Sequence, residues 1–206
     1  MNWFFQLQRD ALLALVRAIV GATVAAHEAP PAHTVIFSNH TSHLDTLVLL
    51  AALPREQRNR TRPVAAADYW NAGAIRRYMA RRILNVVMVD RTAGGPAALV
   101  PLEQALDQGW SLIVFPEGTR RQAPLPGPFR TGLFHLTKAR PALALTPAYL
   151  ENMHRVMPRG APFPLPLLCR VHLGEPVRND AGEDKDAFLA RAHAAVCALA
   201  NGTRAA

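Results

Sequence analysis

Lysine is scarce in this chain of 206 residues, so arginine supplies most of its positive charge. Lys occurs only at positions 138 and 185, although Lys and Arg together number 23 against 15 acidic residues. The formal net charge of +8 suits an anionic partner such as phosphate, nucleic acid or an acidic lipid surface. Arginine favours phosphate in particular, because its planar guanidinium makes two parallel hydrogen bonds to an oxyanion.

Cysteine is also rare, and several common functional motifs are missing. Cys169 and Cys197 form neither a disulfide framework nor a CxxC site. Their apolar neighbours predict inert core thiols in a reducing, cytoplasmic compartment. The chain has no P-loop, no GxGxxG fingerprint and no GxSxG nucleophile elbow, so the corresponding chemistries are poorly supported.

A long uninterrupted apolar segment is missing as well. The run 11–26 is apolar except for Arg17, and it is shorter than the roughly 20 residues that span a bilayer. The charges and aromatic residues ahead of the run do not fit a signal peptide. We predict an N-terminal amphipathic helix within residues 1–26, with one polar face: Gln6, Arg9, Asp10 and Arg17. Two interpretations stay open: the helix lies in a membrane interface, or it packs its apolar face on the core.

The remainder of the chain alternates short apolar runs with helix-like stretches. The predicted strands are 33–38, 63–67, 85–89, 111–115, 142–149 and 169–173. The predicted helices are 42–52, 71–84, 96–108, 131–139 and 184–200. This alternation predicts an α/β fold, with a single layered domain over residues 27–206 and a largely parallel central sheet flanked by helices.

Polar segments follow three of the predicted strands. His40 lies just past the first strand, Arg91 past the third and Glu117 past the fourth. In parallel sheets, ligands bind outside the carboxyl ends of the strands. The sequence therefore predicts a ligand site at one edge of the sheet.

The segment 39–45, Asn-His-Thr-Ser-His-Leu-Asp, places four residues between His40 and Asp45. A hydroxyl becomes an effective nucleophile when a base takes its proton during attack, and the ordinary pKa of histidine suits this role. A neighbouring carboxylate would fix the histidine tautomer and stabilise the imidazolium. Taken alone, Asp45 could instead cap a helix together with Ser42, and His40 could be an ordinary loop histidine.

His43 raises an alternative in which this segment binds a metal ion. Two histidines three residues apart could share a helix face, with Asp45 as a further ligand. No downstream cluster of His or Cys completes such a site, so we expect no metal.

The segment 115–120, Phe-Pro-Glu-Gly-Thr-Arg, predicts a sharp turn after an apolar strand. Backbone amides in such a turn, together with Arg120 or Arg121, could hold a phosphate group. Glu117 fits an anion site only if it orients an arginine or accepts a hydrogen bond from a substrate hydroxyl. Taken alone, the segment could be an ordinary polar turn.

Two pairs of arginines flank Tyr78 in the predicted helix 71–84: Arg76 with Arg77, and Arg81 with Arg82. One helical turn separates the pairs, so they share a face that suits anionic lipid headgroups or an acidic carrier protein. The alternative is a basic face that is simply solvated.

Three segments, in this order, resemble signature blocks of the glycerolipid acyltransferases: 39–45, 89–91 and 115–120. That family includes the 1-acylglycerol-3-phosphate acyltransferases. Leu-Thr-Pro-Ala at 145–148 is similar to a fourth block, an apolar strand with a proline near its end. Pro-Phe-Arg-Thr-Gly at 128–132 is similar to a further element, which usually has lysine at the position of Arg130. The resemblance covers residues 35–176.

The resemblance implies an O-acyltransferase in which His40, assisted by Asp45, acts without a covalent acyl-enzyme. The donor would be acyl-CoA or acyl-acyl carrier protein as co-substrate, without a cofactor. The acceptor would be 1-acylglycerol 3-phosphate, giving phosphatidic acid. The predicted substrate-binding residues are Arg91, Glu117, Gly118, Thr119, Arg120 and Arg130. The chain would be peripheral, on an anionic membrane surface at the cytoplasmic face of the inner membrane.

Two other functions stay open at the level of sequence. The acceptor could be a different lyso-lipid, such as a lysophospholipid or a lyso-ornithine lipid, since Asn85 and Met88 depart from the usual second block. The chain could also be a non-catalytic lipid- or carrier-binding module, although binding alone needs neither His40 nor Asp45. A nucleic-acid partner is not expected, because the basic charge is accompanied by no recognisable binding motif.

Overall fold

The computed structural model describes residues 3–24, 30–157 and 164–203. In these ranges seven strands form one sheet: β1 (Thr23–Val24), β2 (Thr34–Ser38), β3 (Thr61–Ala66), β4 (Val87–Val89), β5 (Ser111–Val114), β6 (Ala144–Leu150) and β7 (Arg170–Leu173). The helices are α1 (Trp3–Val20), α2 (Asp45–Ala52), α3 (Arg55–Asn59), α4 (Ala67–Asn71), α5 (Ala74–Tyr78), α6 (Val100–Asp107), α7 (Gly132–Ala139), α8 (Met153–Val156) and α9 (Lys185–Gly202). A π-helical turn, Met79–Ile83, follows α5, and a 3-10 turn, Gly95–Ala98, precedes α6.

The sheet is largely parallel, as predicted. Its strand order is β1-β7-β6-β2-β5-β3-β4, which places β2 at the centre. The strands from β6 to β4 run parallel to one another, whereas β7 is antiparallel to β6 and carries β1 at the outer edge. Because parallel strands end at one edge, the loops after β2, β3, β4 and β5 are neighbours.

The central strands contribute side chains to two cores, one on each face of the sheet. Ile36 and Ile113 pack with α1 and α2 on one face. Val35 and Phe37 pack with α6, α7 and α9 on the other. All five residues of β2 are buried, since successive side chains point to opposite faces and helices cover both. This explains why the central strands are continuous apolar runs in the sequence.

The predicted helix 71–84 is wrong as one continuous element. The segment forms α5 and the π-helical turn, with a break after α4 at Gly73, whose φ is 156°. Glycine tolerates this backbone conformation because it has no β-carbon. The other predicted strands and helices are confirmed, with ends that differ by at most four residues. The short helices α3, α4 and α8 were not predicted.

The N-terminal helix ends at Val20, before the predicted end at residue 26. Gly21 adopts a positive φ of 54°, and the chain then enters β1, which pairs with β7. A β-carbon at Gly21 would come within 2.5 Å of Leu168 Cδ2, so the side chain of Leu168 packs over this turn. Residues 25 and 26 lie outside the described residues. No helix in the described ranges has the length and apolarity needed to cross a bilayer.

One face of α1 packs on the core beside α2. Its buried residues are Arg9, Leu13, Val16 and Val20. Arg9 Nη2 donates to the carbonyl oxygens of Arg58 at 2.7 Å and Thr61 at 3.4 Å. Burial lowers the pKa of Arg9 to about 10, so the guanidinium stays charged at neutral pH. Part of the polar face predicted for this helix therefore holds it on the domain.

The two cysteines lie in different surroundings. Cys169 is buried, and burial raises the pKa of its thiol to about 12. Cys197 is half-buried, and burial also raises its pKa. The prediction of a core thiol is therefore confirmed for Cys169.

Candidate active site

His40 and Asp45 meet where β2 leads into α2. His40 Nδ1 lies 2.8 Å from Asp45 Oδ2, and the same oxygen accepts the backbone N–H of Thr41 at 2.6 Å and of Ser42 at 2.9 Å. Asp45 is fully buried, whereas 21% of the His40 side chain is exposed. Because Oδ2 accepts, the ring proton of His40 lies on Nδ1. Nε2 keeps its lone pair, and among the described residues nothing hydrogen-bonds it.

The neighbours of His40 fix its backbone and its ring. Asn39 Nδ2 donates to the Leu150 carbonyl oxygen at 3.3 Å, and the Leu150 N–H donates to Asn39 Oδ1 at 2.8 Å. These two bonds tie the end of β2 to the end of β6. The His40 ring is stacked on Phe115, with centroids 4.1 Å apart and planes 16° apart. The imidazole is therefore held in one orientation by Asp45 and Phe115.

Glu117 joins the two main motifs through the backbone. Its Oε1 accepts the His40 N–H at 2.8 Å, and its Oε2 accepts the Gly127 N–H at 2.9 Å. The carboxyl group is buried, and burial raises its pKa while the two backbone hydrogen bonds oppose that effect. The sequence placed Glu117 among the substrate-binding residues. In the structure its side chain holds the backbone of the site and does not line the cavity described next.

A cavity of about 610 Å³ opens beside His40. Its polar part is lined by residues from the loops after three strands, β2, β4 and β5: His40, His43, Arg91, Gly118, Thr119, Arg120 and Arg130. Its apolar part is lined by strand and helix residues: Val64, Val89, Leu99, Leu102, Val114, Leu133 and Leu136. Imidazole side chains, three guanidinium groups and an apolar wall thus share one cavity. Such a lining suits an amphiphilic molecule with an anionic group near one end.

Gly118 lets Arg130 approach the turn after β5. Gly118 has a φ of 70°, and a β-carbon there would lie 2.5 Å from Arg130 Nε. The Arg130 backbone N–H also donates to the carbonyl oxygen of Pro116 at 2.8 Å. Glycine is therefore needed both for the turn and for the position of the arginine.

Tyr69 and Arg76 belong to the site but were not predicted there. Tyr69 lines the cavity just past the end of β3, and Arg76 Cζ lies 4.6 Å from the centre of its ring. His43, considered in the sequence as a metal ligand, contacts Tyr69 and Arg120. Within the described residues no group of three or more His, Cys, Asp or Glu side chains could share a metal ion. Tyr69 lies just past a predicted strand, and this position in the sequence could have indicated that it belongs to the site.

Comparisons with known proteins assign the chain to a family. The acyltransferase family profile matches residues 22–150, which is more than half of the chain, so the chain belongs to the acyltransferase family. The mouse protein 1-acyl-sn-glycerol-3-phosphate acyltransferase alpha is 31% identical over 161 residues, 75% of this chain and 54% of that protein. The human protein of the same name is 37% identical over 115 residues, 54% of this chain and 38% of that protein. The aligned part is thus about half or less of these relatives' length.

A solved structure shares the fold. The crystal structure of the 1-acyl-sn-glycerophosphate (LPA) acyltransferase PlsC from Thermotoga maritima matches with a TM-score of 0.73 at 19% identity. The match covers 96% of this chain and 82% of that one. The layered α/β architecture is therefore that of a known acyltransferase structure.

Replacing Glu117 by Gln tests its role in holding the backbone. A glutamine side chain has one acceptor oxygen, so its NH₂ group would face a backbone N–H and one hydrogen bond would be lost. We expect the free energy of unfolding to fall by about 1–3 kcal/mol in urea titrations. Glu56→Gln, an exposed change on α3, is the matched control. Equal stability of both variants and the wild type would show that Glu117 does not hold the loops together.

Proposed function

We propose that the chain transfers a fatty acyl group from acyl-CoA or acyl-acyl carrier protein to the free hydroxyl of 1-acylglycerol 3-phosphate, giving phosphatidic acid. The observation that supports this proposal most strongly is the His40–Asp45 pair beside a cavity with three arginines and an apolar wall. The names of the mouse and human relatives support this choice of acceptor.

His40 acts as the general base in this proposal. Its Nε2 removes the proton of the acceptor hydroxyl while the oxygen bonds to the thioester carbonyl carbon. When the C–S bond breaks, the imidazolium returns that proton to the departing thiolate. Asp45 stays ionised and stabilises the imidazolium, and the acceptor hydroxyl takes the place of the serine in a Ser-His-Asp triad. No acyl group is attached to the protein.

The arginines of the cavity hold the acceptor phosphate. Arg91 approaches from the end of β4, Arg120 from the turn after β5 and Arg130 from the segment before α7. Guanidinium groups from three directions can surround a phosphate and pair with it through charge-assisted hydrogen bonds. The apolar wall next to them receives the acyl chain, whose burial contributes about 0.8 kcal/mol per methylene group.

His40→Ala should abolish acyl transfer while the fold is kept. Thiol release from palmitoyl-CoA in the presence of 1-acylglycerol 3-phosphate measures the rate, and loss of a base of this kind costs roughly three orders of magnitude or more. His172→Ala is the matched control, since that imidazole pairs with Glu151 outside the cavity lining. Near-wild-type turnover of the His40 variant would rule out the base. If thiol release depended on another lyso-lipid and not on 1-acylglycerol 3-phosphate, that other lyso-lipid would replace the proposed acceptor.

The outer face of α1 supports a membrane-bound site. Large apolar side chains are exposed along it: Trp3 (73%), Phe4 (46%), Leu7 (60%), Leu15 (56%) and Ile19 (38%). The Tyr78 hydroxyl donates to Gln8 Oε1 at 2.8 Å, and the Phe5 and Tyr78 rings are 6.3 Å apart. These contacts join α1 to α5, where Ile75 is 80% exposed. We call these exposed apolar side chains of α1, together with Ile75 of α5, the interfacial face.

Arginines border the interfacial face next to the cavity. They are Arg76, Arg77, Arg81 and Arg82, all of them exposed. Arg82 lies over the ring of Phe5 at 5.4 Å, and Arg76 lies over Tyr69 at the cavity. Apolar side chains flanked by arginines suit the boundary of an anionic bilayer. By the same proposal the protein is peripheral, at the cytoplasmic face of the inner membrane, where a lipid acceptor reaches the cavity from the bilayer.

Polar substitutions on the interfacial face should release the protein from vesicles. A variant carrying Trp3→Ser, Leu7→Ser and Leu15→Ser should lose binding to phosphatidylglycerol vesicles in flotation assays, because its apolar contact area with the lipid is gone. Val100→Ser is the matched control, since Val100 is 45% exposed on α6, on the other face of the sheet. Equal flotation of the triple variant and the wild type would refute this orientation.

A further inference from the structure

His43 takes no part in the mechanism above, yet it lies between two cavity residues. Arg120 Nη1 hydrogen-bonds His43 Nε2, and His43 Nδ1 lies 3.1 Å from the Tyr69 hydroxyl oxygen. The Tyr69 and His43 rings are also stacked, with centroids 5.8 Å apart. All three side chains line the cavity. One imidazole thus connects the turn after β5 with α4.

The chemistry of these contacts defines the proton on His43. A guanidinium has only donors, so His43 Nε2 must be the acceptor and carries no proton. The neutral imidazole then has its proton on Nδ1 and donates it to the Tyr69 hydroxyl. A protonated His43 has no lone pair for Arg120, and its positive charge would repel the guanidinium.

We propose that His43 is a positioning residue for the acceptor. As the neutral, Nδ1-protonated imidazole it holds the guanidinium of Arg120 at the cavity, where the acceptor phosphate binds. This inference rests on the proposed function, because the phosphate belongs to the proposed acceptor. Arg120 is exposed, so without His43 its side chain has more freedom to lose when it pairs with an anion, and binding becomes weaker.

The surroundings of His43 favour its neutral form. The charged and titratable groups that face it are Arg120 after β5, Arg76 on α5, His40 in the same loop, Asp45 on α2, and Tyr69 and Asp68 on α4. Burial lowers the pKa of His43 from its ordinary value of 6.5, the two arginines and His40 lower it further, and Asp45 opposes them. His43 is therefore neutral at pH 7 and above. It takes up a proton, and releases Arg120, only as the pH falls.

Two substitutions of His43 separate its hydrogen bond from its shape. His43→Phe keeps an aromatic ring and removes the acceptor, whereas His43→Gln keeps an acceptor oxygen that does not titrate. We expect the Phe variant to raise the acceptor KM roughly tenfold with little change in kcat, and the Gln variant to stay near wild type at about pH 8. In an Arg120→Ala background the Phe change should add nothing, because both remove one contact. An unchanged KM, or additive effects, would overturn the inference.

The pH dependence provides a second readout that a merely structural role would not move. As the pH falls from about 8 to about 5.5, the acceptor KM of the wild type should rise relative to that of His43→Gln, because only the wild type protonates at this position. Titration of the acceptor phosphate affects both proteins alike and cancels in the ratio. A ratio that stays constant across this range would contradict the inference.

Calorimetric titration with glycerol 3-phosphate distinguishes failure of this inference from failure of the proposed function. A wild type that binds glycerol 3-phosphate but does not acylate 1-acylglycerol 3-phosphate would overturn the acceptor and leave the role of His43 measurable. Equal losses of affinity in His43→Phe and Arg120→Ala would support that role. Unchanged affinity in His43→Phe, or no binding by the wild type, would overturn it.

The ¹⁵N NMR signals of His43 should show the Nδ1–H tautomer, and the Nε2–H tautomer would contradict the assignment.

Discussion

One buried oxygen atom, Oδ2 of Asp45, organises the site. It accepts hydrogen bonds from the His40 ring and from the backbone N–H groups of Thr41 and Ser42, so the whole loop between β2 and α2 is wrapped around it. A buried carboxylate is costly unless donors surround it, and here the donors are two backbone N–H groups of the loop and the His40 ring. The same contacts that make the burial of Asp45 tolerable therefore fix the His40 tautomer. The folded loop therefore also orients the His40 ring.

The second constraint connects this loop to the loop that follows β5. Glu117 bonds the backbone of His40 and of Gly127, and thereby sets the distance between the ends of β2 and β5. Arg120 and Arg130 both follow Glu117 in the chain, and backbone hydrogen bonds from Arg121 to His40 and from Arg130 to Pro116 help to place these arginines relative to His40. The geometry of the cavity depends on strand ends that the parallel sheet keeps adjacent, and exposed arginines line its opening.

The sequence predicted the central strands and the His40–Asp45 pair, because both follow from local pattern: continuous apolar runs, and a strand followed directly by a helix. It did not predict what long-range contacts decide. The sequence placed Glu117 among the substrate-binding residues. Its partners are backbone N–H groups, one of them 77 residues away, and no sequence pattern indicates such contacts. The sequence placed Arg9 on the polar face of the helix but could not show its acceptors, which lie about fifty residues further along the chain. The break at Gly73 was hidden because a single glycine is tolerated in a helical pattern.

The central claim is that the Asp45 charge supports His40 as the base, and Asp45→Asn tests it most directly. Asparagine can keep an oxygen toward the three donors but carries no negative charge, so the imidazolium formed during attack loses its stabilisation. Acceptor-dependent thiol release by this variant should show a kcat lower by roughly a hundredfold or more, with an acceptor KM close to that of the wild type. A kcat within a few-fold of the wild type would contradict the account and assign Asp45 to the folding of the loop alone.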